Sequence, residues 1–329
     1  MRNAYLIFNP VAGQGNAEQD LATIRSILEP TIRLDVHLTT AEVDADQLAI
    51  FAVQEGAEAI IACGGDGTVS AVTTALIGTG IPLGVIPRGT ANAFANALDL
   101  PVTIEAACQT ILASDTRVID AATCNDKPMV LLAGIGFEAE TVDRADRESK
   151  NRFGLMAYVL AGLDQLQRLE HFKVTLETDD KIINVTASAI TIANAAPPTS
   201  ILAQGSADVI CDDGLLDITI IAPANKTGAI AASYDLLTSA LRGDATTRPD
   251  IGYLRSRTIT ITTDPPQKVV VDGEMTGTTP ITIQCIPDSL IVFSPRNEPL
   301  ALIERLEGLP DLSVEIKEPS DDESADQLQ

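Results

Sequence analysis

Residues 59–77 constrain the fold more than any other part of the chain. Ala59-Ile60-Ile61-Ala62-Cys63 is a short apolar run of the kind buried as a parallel strand. It enters Gly64-Gly65-Asp66-Gly67-Thr68, and Val69 to Ile77 then supply the small and apolar residues of a helix packed closely on a sheet. Strand, glycine loop and helix start together make an anion site. Glycines let the backbone approach a phosphate, and the first N–H groups of the helix point at it. Asp66 is unexpected in a pure phosphate cradle, because its charge repels the ligand. It fits if a metal, a hydroxyl or a proton is also present; the alternative is a tight turn with a surface aspartate.

The same alternation surrounds this unit. Residues 4–9 predict a first strand, followed by a turn at Pro10-Val11-Ala12-Gly13 and a helix capped by Asn16. Thr31–Thr39 predicts a second strand, and Asp44 with Gln47 a capping box for a helix that Gly56 ends. Leu83–Ile86 is a further strand, entering Pro87-Arg88-Gly89-Thr90 and a helix to about Leu98, with another near Thr103–Ala113. Strands alternating with helices predict an α/β domain with a doubly wound parallel sheet.

Beyond residue 113 the pattern changes to strands. Arg117–Cys124, Met129–Gly134, Phe172–Thr178, Ile182–Ala193, Leu216–Ala222, Thr258–Thr263, Lys268–Val271, Ile281–Ile286 and Leu290–Ser294 qualify, several alternating apolar and polar residues. These predict a mainly antiparallel β-sandwich with helical insertions at about Glu138–Glu148, Leu155–Leu169 and Thr227–Leu241. The expected domains are 1–122, a nucleotide-binding domain completed by a returning helix within about 295–312, and 123–294, a substrate domain. Residues 313–329 are expected to be a disordered acidic tail, since Glu315–Gln329 carries six acids against Lys317.

At 329 residues, two domains are the default. A formal charge of −24 and 3% aromatic content without Trp argue against nucleic acid as a partner. Cys63, Cys108, Cys124, Cys211 and Cys285 show no paired metal spacing and suit a reduced, cytoplasmic chain. His37 and His171 are remote from the glycine loops, which disfavours histidine catalysis and zinc. No signal peptide or convincing membrane span is expected.

Seven ordered motifs carry a resemblance. They are Asn9-Pro10-x-x-Gly13, Gly64-Gly65-Asp66-Gly67-Thr68, Pro87-x-Gly89-Thr90-x-Asn92-x-Phe94-Ala95, Gly134-x-Gly136-Phe137, Phe153-Gly154-x-x-x-Tyr158, Asp212-Asp213-Gly214-x-Leu216-Asp217 and Val271-Asp272-Gly273-Glu274. The chain thus resembles the diacylglycerol kinase and sphingosine kinase superfamily, in its soluble bacterial branch, from Asn9 to about Ser294. The resemblance implies ATP and Mg2+ in a cleft between two domains and phosphorylation of a lipid hydroxyl, most simply of diacylglycerol or a related acylglycerol.

Carried over residue by residue, it implies that Asn9, Gly13, Gly64, Gly65, Asp66, Gly67, Thr68, Gly89, Thr90 and Asn92 surround the nucleotide phosphates, with Thr40 a looser match. Glu274 is implied as the general base, with Asp272 orienting groups or contacting metal-bound water, and Asp66 is counted with them as a catalytic candidate. A structural magnesium is implied at Asp213 and the backbone carbonyls of Ile210 and Leu215. Without a Gly-Lys-Ser/Thr loop, phosphate charge is met by metal and backbone.

Partners expected are a lipid substrate, transient contact with a membrane surface and, as an open option, a second copy in a homodimer. Arg144, Arg147, Lys150 and Arg152 are a contact candidate for an anionic leaflet, or else a solvated helix face. Departures from the family pattern are Ala71 where a glutamate is usual, Thr74-Ala75 for an Asn-Gly pair and Ala93 for a frequent aspartate. NAD kinase, which shares the Gly-Gly-Asp-Gly loop, and an inactive lipid-binding protein of the same fold are the alternatives.

Overall fold

The structure, a computed structural model of the chain, describes residues 3–13, 15–136, 171–197, 200, 203, 209–223, 228, 231–232, 234–236, 238, 246, 248–294 and 304–317. Strand β1 (Asn3–Phe8) is buried from Ala4 to Phe8, as a strand covered on both faces requires. It lies parallel to β2 (Arg33–Leu38) on one side and β3 (Ile60–Gly64) on the other, with β4 (Leu83–Pro87) beyond β3. Alternate side chains of β1 enter different cores. Ala4, Leu6 and Phe8 join Ile24 and Leu28 of helix α1 (Ala17–Leu28), and Cys108 and Ile111 of the later helix at Ile104–Ala113. On the opposite face Tyr5 and Ile7 join Ala49 and Ala52 of α2 (Ala45–Gln54) and Val69, Val72 and Leu76 of α3 (Asp66–Leu76).

The predicted caps form. Asn16 Oδ1 accepts from the N–H groups of Glu18 (3.0 Å) and Gln19 (3.3 Å), and Gly56 follows α2 in the left-handed region at φ +74°. The chain leaves β1 for β2 on one side and returns to β3 on the other. In a doubly wound sheet that reversal opens a crevice at the carboxyl ends of the two diverging strands, here β1 and β3. Two further helices, α4 (Ala93–Ala97) and α5 (Ile104–Ala113), follow β4.

The second half is the predicted antiparallel sandwich. Its strands are β5 (Thr116–Cys124), β6 (Lys127–Met129), β7 (Leu132–Gly136), β8 (Phe172–Thr178), β9 (Lys181–Ala187), β10 (Ala189–Ala193), β11 (Leu216–Ile221), β12 (Ile251–Ser256), β13 (Thr258–Asp264), β14 (Lys268–Val271), β15 (Glu274–Thr278), β16 (Ile281–Phe293) and β17 (Ser313–Ile316). One sheet runs in the order β12-β11-β10-β7-β14-β15. The other is continuous with the parallel sheet, in the order β17-β9-β8-β13-β16-β4-β3-β1-β2, with β5 and β6 attached at β16. Leu176, Ile183, Ile259 and Ile283 of this sheet face Ile192, Ile218 and Leu254 of the other across the core. β8 shows why: Phe172, Val174, Leu176 and Thr178 are buried and the residues between them face outward or half outward.

β16 corrects the expectation of separate strands at 281–286 and 290–294. It is one strand with a register slip between Ile286 and Leu290; its first part pairs with β13, and Val292 lies beside Leu83 of β4. Conversely, the run Ile182–Ala193 divides at Ser188 into β9 and β10, which belong to opposite sheets. Strands β12, β15 and β17 were not anticipated.

The end of the chain departs most from expectation. Residues 300–303 lie outside the described residues, but 304–309 form no helix and do not return to the parallel domain. Arg305 pairs with Tyr253 through both backbone groups, at 2.6 and 2.7 Å, and Leu309 enters the sandwich core. Gly308, at φ +95°, and Pro310 break a helix there, so the spacing of Leu306, Leu309 and Leu312 serves sandwich packing instead. Ser313–Ile316 is also ordered, as β17 on the edge of β9, and Lys317 Nζ donates to Thr178 O at 2.6 Å. Backbone pairing, rather than apolar burial, holds this acidic segment. Leu309, by contrast, is buried in the sandwich core, and Leu309→Ala is expected to destabilise the fold by about 2–5 kcal/mol. Removing 318–329 should leave the melting temperature nearly unchanged, and thermal unfolding of both variants checks the pair.

The expected helices at 138–148 and 155–169, Phe137, Phe153-Gly154-x-x-x-Tyr158 and the basic stretch 144–152 lie outside the described residues. Of the expected helix at 227–241, residues 228, 231, 232, 234–236 and 238 are helical.

Candidate active site

Three loops meet at the carboxyl ends of β1, β3 and β4. The first is Asn9–Gly13, the second Gly64–Thr68 and the third Pro87–Asn92. Asn9 Nδ2 donates to Thr68 Oγ1 (2.9 Å), and Asn9 Oδ1 accepts from Val11 N–H (3.1 Å). Thr68 is buried, so this pair braces two loops against each other instead of facing the crevice. Gly13, at φ +80°, packs so tightly on the third loop that a Cβ would stand 2.6 Å from the Arg88 carbonyl oxygen. A Cβ on Gly89 would come within 3.0 Å of Gly65 Cα, so the second and third loops touch at glycines.

Asp66 has a role that its sequence position does not announce. Its two carboxylate oxygens accept N–H groups of the third loop, from Asn92 at 3.1 Å and from Ala93. Asn92, in the left-handed region at φ +47°, in turn accepts the Gly89 N–H at 2.8 Å through Oδ1. The aspartate thus fastens the start of α4 to the start of α3. Arg88 completes the framework: its backbone N–H donates to Gly64 O (2.7 Å), its Nη1 to Asn9 O (2.7 Å) and its Nε to Asp20 Oδ2 (3.0 Å).

What remains open is informative. Gly67 lies in the first turn of α3, and a Cβ there would meet nothing within 4 Å. The surface beside it is therefore open, and glycine there leaves the backbone accessible. Thr90 and Gly13 are exposed at the same rim. Thr40 follows β2 beside this edge but closes its own turn, its Oγ1 accepting from Glu42 and Val43 N–H, both at 3.2 Å.

The Asp-Gly-Glu segment is the turn between β14 and β15. Asp272, at φ +49°, accepts three backbone N–H groups, from Val130 (2.8 Å), Leu131 (2.9 Å) and Leu132 (3.0 Å). Burial raises its pKa above the ordinary carboxylate value, and these three bonds pull the other way. Val130 belongs to the buried cluster that holds Val69 of α3 and Phe94 of α4, the helices that start at the second and third loops. Asp272 therefore anchors its turn to the junction of the two domains. Glu274, two residues on, is exposed at the first position of β15.

The Asp-Asp-Gly turn is held by ion pairs and backbone N–H groups. Asp213 is paired with Arg255 and accepts from Leu215 N–H at 3.0 Å, while Asp212 accepts from Arg117 Nε at 2.8 Å. The Ile210 N–H donates to Asp217 Oδ2 (3.1 Å), whose other oxygen takes the Tyr253 hydroxyl; burial pushes the Asp217 pKa up to about 7. Asp120, missed in the sequence, organises the turn. Its carboxylate accepts from Gly214 N–H (2.7 Å) and from Asp288 N–H (2.9 Å) at the slip in β16. A lone acid in the apolar run Val118-Ile119-Asp120-Ala121-Ala122 was the available signal. Burial raises its pKa, and the nearby charges of Asp213 and Asp288 add to the rise. Among the described residues, no three His, Cys, Asp or Glu side chains converge as a metal cage. The groups shown around Asp213 are the Arg255 guanidinium and the Leu215 N–H, while the Ile210 N–H goes to Asp217.

Comparison with known proteins follows this division of the chain. Residues 3–124 match the diacylglycerol kinase catalytic domain, and residues 132–294 match the YegS C-terminal NAD kinase beta sandwich-like domain. A diacylglycerol kinase of Bacillus subtilis (strain 168) is 30% identical over 85% of this chain and 92% of its own length. A diacylglycerol kinase of Mycobacterium tuberculosis (strain ATCC 25618 / H37Rv) is 31% identical over 77% of this chain and 82% of its own. An uncharacterised protein of Synechocystis sp. is 50% identical over 89% and 70%. A crystal structure from Bacillus anthracis str. Sterne, of a protein provisionally named a diacylglycerol kinase, superposes with a TM-score of 0.76 at 27% identity, covering 89% of this chain and 97% of that one. No described helix is long and apolar enough to cross a membrane. With its motifs on three converging loops and its relatives matched across both domains, the chain belongs to the diacylglycerol kinase catalytic-domain family and is a lipid kinase, a phosphotransferase acting on an alcohol.

Proposed function

We propose that the protein transfers the γ-phosphoryl group of ATP to the hydroxyl of diacylglycerol or a related acylglycerol. The observation that carries the ATP site is the meeting of three loops at the switch point of the sheet, with open space beside Gly67 at the N-terminus of α3. The backbone of Gly13, Gly65, Gly67 and Thr90 lines the phosphates, while Asn9, Asp66, Thr68 and Asn92 hold the loops that present it. Glu274 takes the proton of the acceptor hydroxyl, whose oxygen bonds to the γ-phosphorus as the bond to the β–γ bridging oxygen breaks and ADP leaves. Magnesium supplies positive charge to the phosphates when bound. A second, structural magnesium suits Asp213 with the carbonyls of Ile210 and Leu215, taking over from Arg255 as its counter-charge. The enzyme meets its acceptor by transient contact with a membrane surface.

The test is incubation with labelled ATP, Mg2+ and mixed vesicles containing diacylglycerol, with NAD as a parallel acceptor. Labelled phosphatidic acid is expected; transfer to NAD alone, or to no lipid of a total extract, would sink the reading. Asp213→Ala is expected to lower the melting temperature in Mg2+ and to shift the magnesium dependence of turnover to higher concentration. An unchanged magnesium titration would leave Asp213 as an Arg255 partner only.

A further inference from the structure

We infer that Arg88, between Pro87 and Gly89 of the third loop, is a positioning residue for the nucleotide phosphates, acting with Asp20 of α1. This rests on the ATP site proposed above. Arg88, on the third loop, bonds to both of the others. Its backbone N–H bonds Gly64 O (2.7 Å), its carbonyl is the surface on which Gly13 packs, and its guanidinium bonds Asn9 O (2.7 Å). The same guanidinium pairs with Asp20 Oδ2 through Nε at 3.0 Å and Nη2 at 2.9 Å, and lies over the Phe8 ring at 4.7 Å. Its side chain is only 3% exposed, and its Nη2 meets Asp20 as a neighbouring charge without a hydrogen bond of its own.

The arrangement has a direction. Asp20 holds Arg88, Arg88 holds the backbone of Asn9, and Asn9 holds Thr68 at the start of α3. A planar guanidinium that holds Asp20 and Asn9 at once fixes geometry as well as energy, which an ammonium cannot reproduce. Loss of the fork leaves Phe8 and the β1 core in place and releases the loops that present N–H groups to phosphate. Sub-ångström placement of such groups is what phosphoryl transfer depends on.

Wild type, Arg88→Met, Arg88→Lys and Asp20→Asn are compared for ATP KM, acceptor KM, kcat and the melting-temperature rise produced by MgATP. Arg88→Met is expected to raise ATP KM by about tenfold or more, as for one lost charge-assisted hydrogen bond, and to shrink the MgATP-induced rise, with acceptor KM within twofold. Arg88→Lys and Asp20→Asn should fall between. A merely structural arginine lowers the melting temperature without moving ATP KM, and that result overturns the inference. If Arg88→Met does not fold, Asp20→Asn and Arg88→Lys decide, and a wild-type ATP KM in both overturns it equally. Wild-type protein that neither phosphorylates lipid nor responds to MgATP instead overturns the ATP site itself, and this proposal with it.

Discussion

Glu274→Gln is expected to bind ATP with nearly wild-type affinity while its turnover falls by about 10²–10⁴-fold, the range for loss of a positioned general base. Glutamine keeps the size and hydrogen bonding of the side chain and removes its basicity. Glu274 is exposed on β15, so the substitution disturbs no core and the melting temperature should hold. Asp272→Asn provides the contrast. Its carboxylate accepts three N–H groups from Val130–Leu132, whereas an amide turns an NH2 group toward one of them. Leaving a buried donor unsatisfied costs about 1–3 kcal/mol, so this variant should lose stability together with activity. Turnover, nucleotide affinity and thermal unfolding of both variants separate chemistry from anchoring. If Glu274→Gln keeps most of its turnover while Asp272→Asn loses it, the base is not Glu274.

The parallel domain was legible because its signals are local. Asn16, Asp44 and Gly56 mark helix ends within a few residues of the groups they serve, and continuous apolar runs such as Ala59–Cys63 mark doubly covered strands. The sandwich was legible as a class, yet its corners were not. Ser188 divides β9 from β10 inside one apolar run, and nothing in the alternation marks the place where the chain changes sheets. Leu306, Leu309 and Leu312 repeat with a helical spacing, but their fate was decided by Tyr253 and Gly252, more than fifty residues earlier. The glycine loops of the site were visible for the same local reason as the caps. Asp120, Arg88 and the anchoring contacts of Asp272 were not, because each acquires its meaning only from a partner distant in sequence.

Asp66 shows how that distinction changes a prediction. From sequence, a charge inside a phosphate loop calls for a metal or a hydroxyl; in the structure its two oxygens accept the N–H groups of Asn92 and Ala93. The two roles predict different phenotypes. As a loop fastener, Asp66→Asn loses one of two acceptors and turns an NH2 group toward an N–H, so the third loop withdraws from Gly65. A displacement of about 1 Å at a positioned site can cost about 10²-fold in rate, and kcat/KM for ATP is expected to fall by that order with far-UV circular dichroism unchanged. The magnesium concentration that supports half-maximal turnover should then stay near the wild-type value, because the groups that meet the metal are untouched. As a metal contact, the same substitution shifts that concentration upward and excess Mg2+ restores part of the activity. Magnesium titration of the Asn variant at saturating ATP therefore decides between them. Rescue by metal would return Asp66 to the role its sequence first suggests.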